Sequence, residues 1–395
     1  MIDFWNEEKL KKLNKRKVVI IVLIVIVALI ALSMVIVYNT SPDFREWVDV
    51  NMLGKQVSQD SVATIDIESE TAKICAFNKS IGVLNKNKFT IYNSSGGKDS
   101  TLDIEITNPI FCASNRFLAI AEKGGQKIYV IEDKKISWEA QVEGEISQLH
   151  INKNGYVAVV ISGTSYKSVI NLFDNNGKSL FKKFLSSTRL TDISISNDNR
   201  FLALAEVDTS GTIIQSNIKI ISVEKAQSDP ENSMIKTYQG NGNDLITNIK
   251  YQNNNKLVCM YDNSIHIIDN DNDNDNDEIL VKYDDQKITA TSIELSNNVV
   301  NVKEQSSGLF TADSIVNIIS TENKNLKTYT TDEVTKEIYT YENIIALNLG
   351  SEIEFLNTDG WLVKRFISKQ EITNVVISNS IAGIVYRDKI EIINL

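Results

Sequence analysis

One short pattern recurs down the chain: apolar, variable, apolar, apolar, then Asp, Asn, Ser or Glu. It reads Phe89-Thr-Ile-Tyr-Asn93, Ile128-Tyr-Val-Ile-Glu132, Ile170-Asn-Leu-Phe-Asp174 and Ile218-Lys-Ile-Ile-Ser222. It continues as Ile265-His-Ile-Ile-Asp269, Val316-Asn-Ile-Ile-Ser320, Ile353-Glu-Phe-Leu-Asn357 and Ile390-Glu-Ile-Ile-Asn394. Alternating β-branched residues closed by a turn former are a strand signal. Eight copies at steps of 37 to 51 residues make a repeat architecture, in which each unit buries its faces only against its neighbours.

Each copy has strand-like company. Upstream, Ile146–Ile151 aligns with Leu190–Ile195, Ile246–Tyr251 and Ile372–Ile377. A polar turn such as Ser196-Asn-Asp-Asn-Arg200 then leads to a small apolar run, as in Phe201–Ala205, Phe117–Ala121 and Leu257–Tyr261. Downstream, Gly177–Phe184 and Gly360–Phe366 supply a fourth strand. Four short antiparallel strands per unit is the blade of a β-propeller, for which ~40–50 residues is typical. The expected fold is therefore all-β, an eight-bladed propeller over residues 61–395. The alternative is seven blades, with 286–330 as an irregular insertion. The last unit has only three strands, and the unassigned run Ser61-Val-Ala-Thr-Ile-Asp-Ile67 is placed to complete it, closing the ring and hiding an edge.

These residues resemble two related propeller families. The third-strand ending resembles the Trp-Asp step of WD40 repeats, with the Trp replaced throughout and no Gly-His signature. Ile170 to Phe181, with its acidic turn, Gly177 and following aromatic, is similar to the quinoprotein (pyrroloquinoline-quinone-type) repeat. Ile353–Phe366 and Ile128–Trp138 share it, with Trp138 standing near that family's docking aromatic. A quinoprotein dehydrogenase would imply a quinone, Ca²⁺ and two adjacent cysteines, whereas Cys75, Cys112 and Cys259 are far apart. The layout also resembles bacterial single-pass, WD40-like membrane proteins of unknown function.

Ahead of the repeats, Val18 to Tyr38 carries no charge and is almost entirely Val, Ile, Leu and Ala. That length spans ~30 Å of hydrocarbon as a helix. In lipid the backbone must satisfy itself, so β-branched residues are no obstacle to helix there. Lys9, Lys11, Lys12, Lys15, Arg16 and Lys17 precede the run, and Asp43, Arg45, Glu46 and Asp49 follow it. The positive-inside rule then keeps residues 1–17 in the cytoplasm, makes 18–38 a transmembrane helix in the bilayer and places the remainder outside. The run is too long for the core of a cleaved signal peptide, although Ala31-Leu32-Ser33 loosely resembles a cleavage site. Residues 39–60 read as a juxtamembrane linker; Phe44, Trp47 and Val48 fall on one face of a short amphipathic helix. The formal charge is −10, and removing the basic flank makes the remainder more acidic still. Nucleic acid is repelled by such a body.

Candidate chemistry is sparse. The cysteines fall on strand positions that are apolar in other copies and read as buried thiols. His266 occupies the variable third-strand position, which reads as solvent-facing; His150 sits at an equally permissive position of the first strand. Neither has a second histidine in register. Asp269, Asp271 and Asp273 mimic the start of an EF-hand loop, but the sixth position is Asn274 and the twelfth Leu280, so the tract reads as a polar expansion in a turn. No metal or cofactor is expected, and no Walker, dinucleotide or nucleophile-elbow motif occurs. The favoured function is a non-catalytic binding or assembly platform with a protein partner at the cell envelope. The alternatives are a ligand-sensing receptor working through a membrane partner, and a propeller enzyme (hydrolase, lyase or dehydrogenase) with a site scattered over blades. The candidate binding face comprises the loops between strands two and three: Tyr166, Ile214 and Phe310. The opposite face carries the Asp269 tract and the polar insert Lys225 to Asn232, both expected to be solvated.

Overall fold

The computed structural model describes residues 15–40, 44, 48, 52, 57–58, 61–67, 69, 71–162, 165–240, 244–269, 277–283, 287–306 and 312–395. The chain divides into two units, residues 1–56 and 57–395.

In the first unit, α1 (Lys15–Thr40) contains a stretch, Val19–Tyr38, long and apolar enough to cross a membrane. Its two aliphatic hydroxyls bond within the helix: Ser33 donates to the Ile30 carbonyl and Thr40 to that of Ile36. Phe44 and Val48 are helical, as the amphipathic pattern requires, while Trp47 lies outside the described residues.

The second unit is a ring of eight antiparallel sheets. Blades one to eight take residues 73–103, 109–141, 145–185, 189–239, 246–282, 288–330, 337–367 and 374–394. The seven-blade alternative falls, because 288–330 is a regular four-stranded blade: Asn298–Ser306 and Ala312–Ser320 form its long central hairpin. Closure follows the sequence expectation. Ala63–Asp66 pairs antiparallel with Lys389–Asn394, Ile65 opposite Ile390 and Ala63 opposite Ile392. Pairing begins even earlier, at Val57–Ser58, which adds a parallel fifth strand to blade seven beside Arg365 and Phe366.

The physics of the ring lies between the blades. Second strands such as Phe117–Glu122 and Val157–Ser162 are buried on both faces and read as continuous apolar runs. Each seam between neighbours holds its own apolar cluster, from Phe77, Phe89, Leu118 and Ile131 between blades one and two to Ile65, Ile81 and Ile390 between eight and one. The smallest belongs to blades five and six, with Val258, Ile265, Ile293 and Val299. Polar links reinforce that seam: Gln252 donates to the carbonyls of Ile293 and Asn298 and accepts from Thr321. Trp138 fills the docking role suggested by the quinoprotein-like pattern. Its indole packs on Gly177 of the next blade, where φ is +81° and a Cβ would lie 2.8 Å from the ring.

One expectation is overturned. The variable third-strand position does not face solvent, since His266, Asn171, Asn317 and Glu354 are all buried there. Variation is tolerated where the blade supplies a polar partner for its own residue. Ser179 donates to Asn171, Asn317 to Asn301, and Lys219 to Glu206. His266 Nδ1 lies 2.8 Å from Asp277, and Arg365 pairs with Glu354. Buried polar groups with partners cost little; what must be kept is the pair. The polar insert is likewise only partly solvated: α2 (Val223–Ser228) drives Val223 and Ala226 into the seam between blades three and four.

Candidate binding face and axial cluster

Within each blade the chain runs from an inner first strand to an outer fourth. The first strands of neighbouring blades touch one another around most of the ring, so they line its axis. The loops joining strands two and three share one face with the connections from blade to blade. On that face the second-to-third-strand loops of blades three and four carry Tyr166 and the pair Ile213 and Ile214. Ile213 and Ile214 are 59% and 54% exposed, so the hairpin does not bury its own apolar tip. Tyr166 packs against Phe184 with its ring tilted, centroids 4.8 Å apart, and both residues stay about two-fifths exposed. Lys167 ties the blade-three loop to the Ser187 carbonyl 2.6 Å away.

Two of the three expected residues therefore share one sector of the face. Phe310 belongs to the corresponding loop of blade six and lies outside the described residues, as do Asp271 and Asp273. Asp269 directly follows the third strand of blade five, half-buried. Among the described residues no three His, Cys, Asp or Glu side chains gather in a metal-ligating group. The three cysteines are free thiols, Cys75 and Cys259 buried and Cys112 half-buried. Burial pushes the Cys112 thiol up, as suits a packing role. Phe184 escaped the sequence reading, although adjacent Phe184 and Leu185 cannot both face inward from an alternating strand.

The axis holds a second group that sequence reasoning passed over. Lys250 of blade five pairs with Glu294 of blade six at 2.7 Å. Desolvation alone would lower the lysine, but the Glu294 charge and its hydrogen bond together outweigh it and raise its pKa; desolvation would raise Glu294, whose side chain is 53% exposed, and Lys250 holds it down. Asp192 of blade four accepts from the backbone N–H of Ile193 and, at 2.8 Å, of Ile249 in the next blade, yet burial lifts its pKa to about 6. His150, half-buried on the blade-three first strand, is held at about 3 by burial and then by the Lys250 charge. His150, Ser194 and Lys250 occupy one repeat position, and that register was the signal available in the sequence.

The sign of the His150 effect is fixed. The folded ring disfavours its protonation, whereas the unfolded chain takes a proton near pH 6.5. Stability is then intact above pH 6.5 and falls as pH drops toward 3. His150→Gln is expected to recover about 2 kcal/mol of the stability that the wild type loses between pH 7.5 and pH 5. Parallel denaturant titrations at the two pH values check this, and identical losses in both proteins would refute it.

A family model described as a family of unknown function (DUF5711) matches residues 55–395, the whole ring with its fifth strand on blade seven. The chain belongs to this family. No curated protein matches it in sequence. Among solved structures it is similar to Chaetomium thermophilum Sqt1 bound to the N-terminus of the ribosomal protein L10, at 12% identity and a TM-score of 0.54, covering 86% of this chain and 100% of that one. It is similar to the dihydro-heme d1 dehydrogenase NirN in complex with DHE, at 11% identity and a TM-score of 0.53, covering 86% of this chain and 77% of that one. It is also similar to apo AztD from Citrobacter koseri, at 11% identity and a TM-score of 0.51, over 80% and 91% of the two chains. At such identities the likeness is one of fold.

Proposed function

We propose that the protein is a membrane-anchored, extracytoplasmic platform that binds a protein partner at the cell envelope through the blade-three and blade-four loops. The observation that carries this reading is the grouping of Tyr166, Phe184, Ile213 and Ile214, exposed on one sector of a rigid ring. Apolar side chains in loops fixed by a scaffold are suited to protein contact. Sqt1, similar in fold, was solved with a segment of another protein bound, which supports the same use of this scaffold. The apolar side chains of α1, exposed from Val19 to Val37, suit contact with lipid, and the basic flank supports a cytoplasmic N-terminus.

Replacing Tyr166, Ile213 and Ile214 together by Ser in the full-length chain is expected to cut partner capture from detergent-solubilised envelopes at least tenfold. The thermal midpoint should move by no more than about 2 °C, as for surface substitutions. Undiminished capture, or unfolding instead, would end the reading. Protease added to intact cells should remove the ring; complete protection would reverse the orientation.

A further inference from the structure

Beside the apolar sector, a cleft of about 210 Å³ runs between the outer strand of blade three and the sheet of blade four. Its mouth includes Phe184, Ser186 and Ser187, and Glu206 is part of its lining. Glu206 is fully buried. Its Oε2 accepts from Thr188 Oγ1 at 2.7 Å and from Lys219 Nζ at 2.6 Å, while its Oε1 accepts no hydrogen bond. A carboxylate offers about four lone-pair sites, and a buried oxygen left without a donor costs about 1–3 kcal/mol or more when charged. A purely structural counterion for Lys219 would not need an open cleft beside it. The other cation of the cleft, Lys183, is already engaged by the carbonyls of Pro230 and Glu231.

The geometry points to a pocket for a lysine or arginine side chain of the partner polypeptide, its charged end donating to Glu206 Oε1 and its apolar neighbour resting on Phe184 and Tyr166. This rests on the face reading above and names what that face selects. Two observations converge on a cation rather than a neutral donor. The orphan acceptor is a carboxylate, for which charge-assisted bonds are the strong ones. The chain as a whole is acidic, which draws basic partners to it.

The test uses the full-length chain in lipid nanodiscs and two small probes of equal shape, butylguanidinium and butylurea, followed by ligand-observed NMR. Butylguanidinium should bind at least tenfold more tightly than butylurea, and Glu206→Gln should abolish that preference. Because Glu206→Gln strips Lys219 of its counterion, the paired variant E206Q/K219M keeps the cleft neutral; it should retain the wild-type thermal transition and still lack the preference. Equal binding of the two probes, or a preference that survives in E206Q/K219M, overturns the pocket. Probe binding does not require Ile213 or Ile214, so the two readings fail separately. Loss of capture in the loop variant without guanidinium binding sinks the pocket alone, whereas guanidinium binding with capture indifferent to the loop sinks the face.

Discussion

Deleting residues 61–67 from the full-length chain is expected to lower the thermal midpoint of the ring by on the order of 10 °C and to make unfolding less cooperative. The segment supplies the fourth strand of blade eight and the side chain of Ile65, which packs with Ile81, Ile390 and Ile392 in the seam joining the last blade to the first. Its removal exposes the edge of Lys389–Asn394 and opens an apolar cluster to water, and among the described residues no other strand is available to cover either. A synthetic peptide of residues 61–67 added in trans should recover part of the loss. Calorimetry showing an unchanged midpoint would mean that closure contributes nothing, against the register observed.

Arg365→Met is expected to cost about 3–5 kcal/mol at pH 8, the range for stripping one partner from a buried ion pair. Arg365 reaches Glu352 at 2.6 Å and the fully buried Glu354, whose pKa burial raises to about 7 even with the guanidinium beside it. A raised carboxyl is protonated more readily in the folded than in the unfolded chain, so folding gains from acid between pH 7 and the unfolded value near 4.3. Without Arg365 the carboxyl rises further, and the deficit of the variant should shrink as pH falls from 8 to 5. The pair Arg365→Met with Glu354→Met should recover most of the stability, since apolar replacement of both partners is close to neutral. Chemical denaturation of the wild type and the two variants at both pH values checks this. A deficit that stays constant with pH would show that Glu354 does not carry the effect.

The ring was legible because each blade obeys the same arithmetic. The third-strand pattern, its apolar forerunner and the turn between them recur often enough to reveal the blade, and the unpaired Ser61–Ile67 run indicated how the circle closes. Sequence failed where a property belongs to two positions at once. His266 looked exposed because its counterparts are Asn, Lys and Glu, yet the variation is matched by Asp277, Asn301, Glu206 and Arg365 on neighbouring strands. The axial set of His150, Asp192, Lys250 and Glu294 comes from four blades and has no local signature. For the binding face, Ile214 and Tyr166 were readable as loop residues, but Phe184 enters only through its contact with Tyr166.

The closing strand also sets a timetable. Ala63–Asp66 leaves the ribosome before any blade, while its partner Lys389–Asn394 comes last of all the strands. Contacts so distant along the chain are slow to form, because loop closure must precede their reward. During synthesis the earlier blades can stack in order, yet the first strand waits with its backbone unpaired until the final blade arrives. A nascent chain is therefore adhesive at both ends, and a chaperone that shields residues 57–67 would act at the step where two half-made rings are most prone to join each other. Val57–Ser58, by lying along blade seven, gives the waiting strand a place to lodge one blade before its own is finished.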